Sequence, residues 1–247
     1  MYNMPSFQYY KEAAENGDTD AMNTLANFYE SGAGVRKNPK KAFQWHLKAA
    51  EAGNLLGMFY VGIFYRDGIG VSKNPEQAFK WFLKSAEAGE VHSMYCVTMS
   101  YVFGSGVEQN SKTAFEWALK TAEADNKNVD IRLFLSNCYL QGEGTQKSLR
   151  KSFSWLHKAA KLQNADAMYF TGCAYFSGKV VKQNSKKAAY WLKKSAKLGK
   201  SDAMVLLSDM YFEGNGVAVN KEKSIELMVE AANLGNETAQ KILKDYF

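Results

Sequence analysis

The sequence predicts an all-α fold, an α-solenoid of stacked antiparallel helix pairs with about 36 residues to the repeat. Three observations carry that expectation. Trp45, Trp81, Trp117, Trp155 and Trp191 follow one another at intervals of 36, 36, 38 and 36 residues. A tyrosine ladder runs 16 residues ahead of them, at Tyr29, Tyr65, Tyr101, Tyr139 and Tyr175, with one further rung at Tyr211. A Gly-x-Gly pair follows these tyrosines, as in Gly32 and Gly34 or Gly68 and Gly70. A fixed period in this range marks an array whose units pack only on their neighbours, not a closed globular core.

The array opens at residues 1–20 on a half-repeat that holds a second helix only. Tyr9, Ala13, Ala14 and Gly17 align there with Trp45, Ala49, Ala50 and Gly53. Residues 1–6 are too short to supply the missing helix, which leaves that end open to self-association. Six repeats follow over 21–56, 57–92, 93–128, 129–166, 167–202 and 203–236. The chain closes at 237–247 on a capping first helix made polar by Lys241, Lys244 and Asp245.

Each repeat reads in the same order. Apolar residues at i, i+3, i+4 and i+7, such as Leu25, Ala26 and Tyr29, mark an amphipathic first helix. The glycine pair stops it and supplies positive φ for a tight turn. Asn38, Asn74, Asn110, Ser148, Asn184 and Asn220 recur at one offset and open the second helix. Their side-chain oxygens can accept from orphan backbone N–H groups, at ~1 kcal/mol per helix start. Pro39 and Pro75 follow at the first helical position, where a missing N–H costs little. Gly53, Gly89, Gly199 and Gly235 end the second helix. Small residues such as Ala49 and Ala50 let helices approach, and the tryptophan fills the gap between them.

Departures are local. Two extra residues fall between Ala124 and Asp130, where the turn should bulge. Val180 replaces the second glycine of repeat five, Thr145 the apolar residue after the pair in repeat four, and Leu227 the tryptophan of repeat six.

The segment Leu25 to Ala50 carries Leu-Gly/Ala-x-x-Tyr-x-x-Gly-x-Gly-Val and then Lys-Ala-x-x-Trp-x-x-Lys-Ala-Ala. This pattern resembles the Sel-one-like repeat family, relatives of the tetratricopeptide repeats, and it recurs over almost the whole chain. The resemblance implies a right-handed superhelix whose members chiefly mediate protein–protein contacts. It points to a bacterial source, where some members act in host interaction, signalling or envelope processes. Others are immunity proteins that neutralise a toxin. Secreted cysteine-rich members have been linked to weak β-lactamase activity.

In tetratricopeptide-like arrays the first helices line the concave face. The resemblance then directs the residues six before, two before and one after each tyrosine toward a partner. The first set, Asn23, Asn27 and Glu30, is polar. The next are Phe59, Ile63 and Arg66, then Tyr95, Met99 and Val102. Leu133, Asn137 and Leu140 follow, then Tyr169, Cys173 and Phe176, then Val205, Asp209 and Phe212. Either these form an exposed apolar and aromatic stripe, the usual mark of a binding site, or they pack between repeats. The first reading makes the chain a non-enzymatic scaffold or adaptor for a protein or peptide. On it, Arg66, Asn137 and Asp209 fix the register of the partner.

Charge is uneven. Residues 147–200 hold 13 lysines and arginines against one acid, Asp166, within a chain of net +6. A basic field attracts nucleic acid, acidic protein or anionic lipid, yet no nucleic-acid motif is present. A solvated basic face is the expectation.

Catalytic chemistry finds little support. Ser148-Leu149-Arg150-Lys151 spells Ser-x-x-Lys, but Ser148 occupies the helix-cap offset and the accompanying Ser-Asp-Asn and Lys-Thr-Gly elements are missing. His46, His92 and His157 fall in different repeats. Cys96, Cys138 and Cys173 lack metal-ligand spacing and read as small apolar residues of first helices. No metal or cofactor is expected. No apolar run approaches the ~20 residues needed to span a bilayer. The first ten residues lack a secretory layout, so the expected location is cytoplasmic.

Overall fold

The computed structural model describes residues 7–246 and, among them, fourteen helices and no strand. Residues 1–6 and Phe247 lie outside the described residues. So does the expectation of an unfilled first end.

The chain divides into two compact units, residues 1–126 and 127–247. The first holds α1 (Phe7–Glu15), α2 (Thr19–Ser31), α3 (Pro39–Glu51), α4 (Leu55–Asp67), α5 (Pro75–Glu87), α6 (Val91–Phe103) and α7 (Ser111–Ala124). The second holds α8 (Val129–Gln141), α9 (Leu149–Lys161), α10 (Ala165–Ser177), α11 (Ser185–Lys197), α12 (Ser201–Glu213), α13 (Lys221–Asn233) and α14 (Glu237–Tyr246). Within each unit every helix packs on the next, so both units are solenoids of helix pairs, as the sequence predicts. In the first unit α2, α4 and α6 are first helices; in the second, α8, α10, α12 and α14.

The predicted punctuation is in place. Asn38, Asn74, Asn110, Asn184 and Asn220 each accept from the backbone N–H three residues on, and Ser148 does the same more weakly at 3.4 Å. First helices end on left-handed glycines, among them Gly32 and Gly68. The two extra residues are absorbed one each way: α7 runs 14 residues where most of its counterparts run 13, and the turn after it spans 125–128. Val180 has no positive φ, so the turn of repeat five keeps only the left-handed Gly178.

The alanine pairs and tryptophans meet across repeats. Trp45 lies against the cluster of Ala14 and Ala21, Trp81 against that of Ala50 and Met58, and Trp117 packs with Ala86 and Val97. In the second unit Trp191 is buried with Ala159, Ala160 and Met168. A small residue on one helix leaves the space that a ring from the next repeat fills. Each such ring contributes ~3–5 kcal/mol against truncation. A lysine one turn on covers each tryptophan: Lys48 Nζ lies 4.2 Å from the Trp45 ring centre, Lys120 4.4 Å from Trp117 and Lys158 3.9 Å from Trp155. These aliphatic stems shield the outer edges of the rings while the ammonium groups stay in water.

Gln163 occupies the position that Gly199 and Gly235 hold in later repeats, and it is the sole non-glycine residue of positive φ among those described, at 62°. A left-handed conformation costs an L-residue ~1–2 kcal/mol. Glycine returns part of that gain through the unfolded chain. Gln163→Gly should therefore stabilise the second unit by about 0.5–1 kcal/mol. A urea midpoint that falls instead of rising would show that the Gln163 side chain makes a compensating contact.

Candidate protein-interaction face

In the first unit the face is built on α4 and α6. A helix brings positions i, i+4 and i+7 onto one side, so Phe59, Ile63 and Arg66 align on α4, and Tyr95, Met99 and Val102 on α6. All except Arg66 are half-buried. Phe59 and Ile63 pack against the core of α5–α7 and still reach the surface. The Phe59 ring sits 6.1 Å from Phe82 and 5.6 Å from His92. Exposed Arg66 donates from Nε and Nη2 to the two carboxylate oxygens of Asp67, both at 2.8 Å. That fork holds the Asp67 carboxyl below its ordinary range. Burial pushes the neighbouring Cys96 thiol up to about 11, which makes it a neutral packing group.

The polar first set behaves differently. Asn27 and Glu30 reach solvent, but Asn23 is buried. Its Oδ1 accepts from Nδ1 of His46 at 2.9 Å, and its Nδ2 donates to Asn54 Oδ1 at 2.8 Å. The expectation that Asn23 faces a partner is therefore corrected. A histidine at this point of α3 gives the amide a partner inside, and the amide turns toward it.

In the second unit the corresponding positions lie on α8, α10 and α12. Leu133 packs on the core around Ala159 and Ala160. Tyr169, Phe176 and Val205 pack on the core around Leu192 and Met204. All four are half-buried, as is Cys173. Leu140 is 40% exposed and Phe212 57%, and Asn137 and Asp209 are exposed beside them. Tyr169 bonds to Cys173; burial, then that thiol, push its phenol up to about 12. Partial desolvation against the groove, then nearby Glu213, hold the Asp209 carboxyl above its ordinary range. Asp209 lines an apolar groove of about 410 Å³ with Phe212, Ile225, Met228 and Leu243. It also lines a smaller one of about 220 Å³ with Tyr169 and Val205.

A model of the Sel1 repeat matches residues 6–18, 19–54, 55–90, 93–126, 132–164, 165–200 and 201–236. The chain belongs to the Sel1 repeat family. It is similar to c5321, a protective antigen of uropathogenic Escherichia coli strains that displays the same repeat fold, at 31% identity and a TM-score of 0.84. The likeness covers 95% of this chain and 50% of that one, so this chain spans about half the length of that protein. A Sel1 repeat protein from Oxalobacter formigenes is similar at 30% identity over 91% of this chain and 92% of its own, with a TM-score of 0.66. No curated protein is significantly similar. Sel1 repeats, like their tetratricopeptide relatives, are generally protein-interaction scaffolds and are typically not catalytic.

The Sel1 units hold one device that sequence reading missed. First helices are capped as well as second ones. Asn54 Oδ1 accepts from Gly57 N, while its Nδ2 reaches back one repeat to Asp20 Oδ1 at 2.8 Å and Thr19 Oγ1 at 3.1 Å. Asn236 repeats the clamp with Asp202 and Ser201. At the same offset Lys200 makes no cap, yet its Nζ bridges Asp166 at 2.7 Å and Asp202 at 3.3 Å. The legible signal was an asparagine nine residues after the tryptophan, at Asn54 and Asn164.

The Ser-x-x-Lys string is committed elsewhere. Ser148 Oγ caps α9, and Lys151 Nζ lies 5.3 Å from the Tyr139 ring centre. Among the described residues, no three His, Cys, Asp or Glu side chains converge to hold a metal, and no helix is long and apolar enough to cross a membrane.

Proposed function

We propose that this chain is a non-enzymatic adaptor that holds a protein or peptide partner against the exposed side of its first helices. The observation that carries the reading is the half-buried state of the aromatic and aliphatic positions on that side. Phe59, Leu133, Tyr169 and Val205 are anchored by the core yet still accessible, and Tyr95 is half-buried. An anchored ring loses little rotamer entropy on binding, which suits it as a contact centre. Arg66, Asn137 and Asp209 flank these positions with exposed polar groups that set register.

The test uses exposed positions in the second unit and a half-buried one in the first, with folding checked for each. Leu140→Asp with Phe212→Asp in the second unit, and Tyr95→Asp in the first, should each weaken partner capture from lysate of the source organism. A loss of tenfold or more is expected, since an anchor truncation costs about 2 kcal/mol. Circular dichroism should be unchanged. Retention of the same proteins by wild type and by all folded variants would overturn the reading.

A further inference from the structure

The strongest feature outside that face is electrostatic. Second helices α3, α5, α7 and α13 mix lysines with acids, as in Lys48 with Glu51 or Lys84 with Glu87. Helices α9 and α11 carry nine cations between them and no acid. The contrast is positional. Six residues after the tryptophan, Glu51, Glu87 and Glu123 give way to Lys161 and Lys197. All nine cations are exposed, and among the described residues none is in an ion pair. The two helices belong to one unit, both pack on α10, and they touch where the His157 ring meets Trp191 at 5.1 Å. Equivalent residues one repeat apart, such as Lys158 and Lys194, then make a two-helix cationic strip. Tyr190 sits at its centre on α11, 51% exposed, with Lys194 Nζ 4.8 Å from its ring centre. Leu198 is about half exposed at one end of the strip.

We propose that this strip docks the chain on an anionic lipid surface. Protein interfaces are depleted in lysine, and eight of the nine cations here are lysines. Lysine is a hydrated point charge suited to a diffuse sheet of headgroups more than to a shaped carboxylate or base edge. Against nucleic acid stands the aliphatic Leu198. It gains nothing from a phosphate backbone but can enter the boundary between headgroup and acyl chain. Tyr190 suits the same depth. A basic cluster of this size matches what anionic leaflets attract, at ~1 kcal/mol per cation.

The experiment is co-sedimentation of the whole chain with phosphatidylcholine vesicles, with and without phosphatidylserine, over a salt series. Binding should require phosphatidylserine and weaken with salt. Lys158→Glu, Lys161→Glu, Lys194→Glu and Lys197→Glu combined should lower it more than about a hundredfold. Lys40→Glu, Lys48→Glu, Lys80→Glu and Lys84→Glu on α3 and α5, with the same change in net charge, should lower it only several-fold. Tyr190→Ala should lower it a few-fold. Unchanged helical content would certify each variant. The proposal is overturned by equal binding to neutral vesicles, by equal loss in the two charge-reversed sets, or by tighter binding of a short oligonucleotide or polyglutamate through the same lysines.

Discussion

Replacing Gly106 by alanine should destabilise the first unit by about 3 kcal/mol or more. Gly106 has φ 74° and lies directly against the Pro75 carbonyl at the start of α5, where a Cβ would collide with backbone. Two penalties add. The left-handed conformation costs alanine ~1–2 kcal/mol. Accommodating the methyl then forces apart two consecutive repeats, at a further ~1–3 kcal/mol. Gly104 separates the terms. It has φ 67° but its nearest neighbours are 3.6 Å away, so Gly104→Ala should cost the conformational part alone. Urea midpoints of the two variants decide the matter. Equal losses would mean that the contact with Pro75 adds nothing. Gly70 against Pro39 and Gly216 against Ser185 use the same close approach, so the second glycine of the turn spaces the repeats.

Acidification from pH 7 to 5 should remove about 2 kcal/mol of stability through His46 alone. Its side chain is fully buried and stacks at 4.5 Å on Tyr60. Nδ1 donates to Asn23, whereas Nε2 has no partner among the described residues. Burial lowers the imidazole from 6.5 to about 4. Between those values the unfolded chain binds a proton that the folded chain refuses. Stability is therefore complete above about pH 6.5 and falls as pH drops toward 4. His46→Phe, the residue that Phe82 places at the same offset in repeat two, should flatten the slope whatever its effect on absolute stability. An unaltered slope would assign the acid sensitivity to other groups. His157 is the first of these, since burial and then Lys161 and Lys187 also lower its imidazole.

The candidate face was legible only in part. Counting from the tyrosines found Leu140, Asn137, Asp209 and Phe212, which the structure places in solvent. The same count placed Asn23 beside them, although it is buried against His46. It also could not say that Phe59 and Tyr169 stand half in the core. An offset within one helix fixes the direction of a side chain, but burial depends on what the next repeat brings to meet it.

By itself the sequence determined most of what short-range physics controls. The starts of the second helices follow from Asn and Ser caps, helix ends from left-handed glycines, and the stack from a period of tryptophans and alanine pairs. These signals act within a few residues, so they survive reading one letter at a time. Only the tertiary structure decided which groups met across the 23 to 35 residues that separate His46 from Asn23 or Asn54 from Asp20 and Thr19. It also decided that Lys200 pairs with Asp166 while the cations of α9 and α11 make no ion pair among the described residues. Pairing and burial depend on distance in space, and that distance exists only once the repeats have stacked.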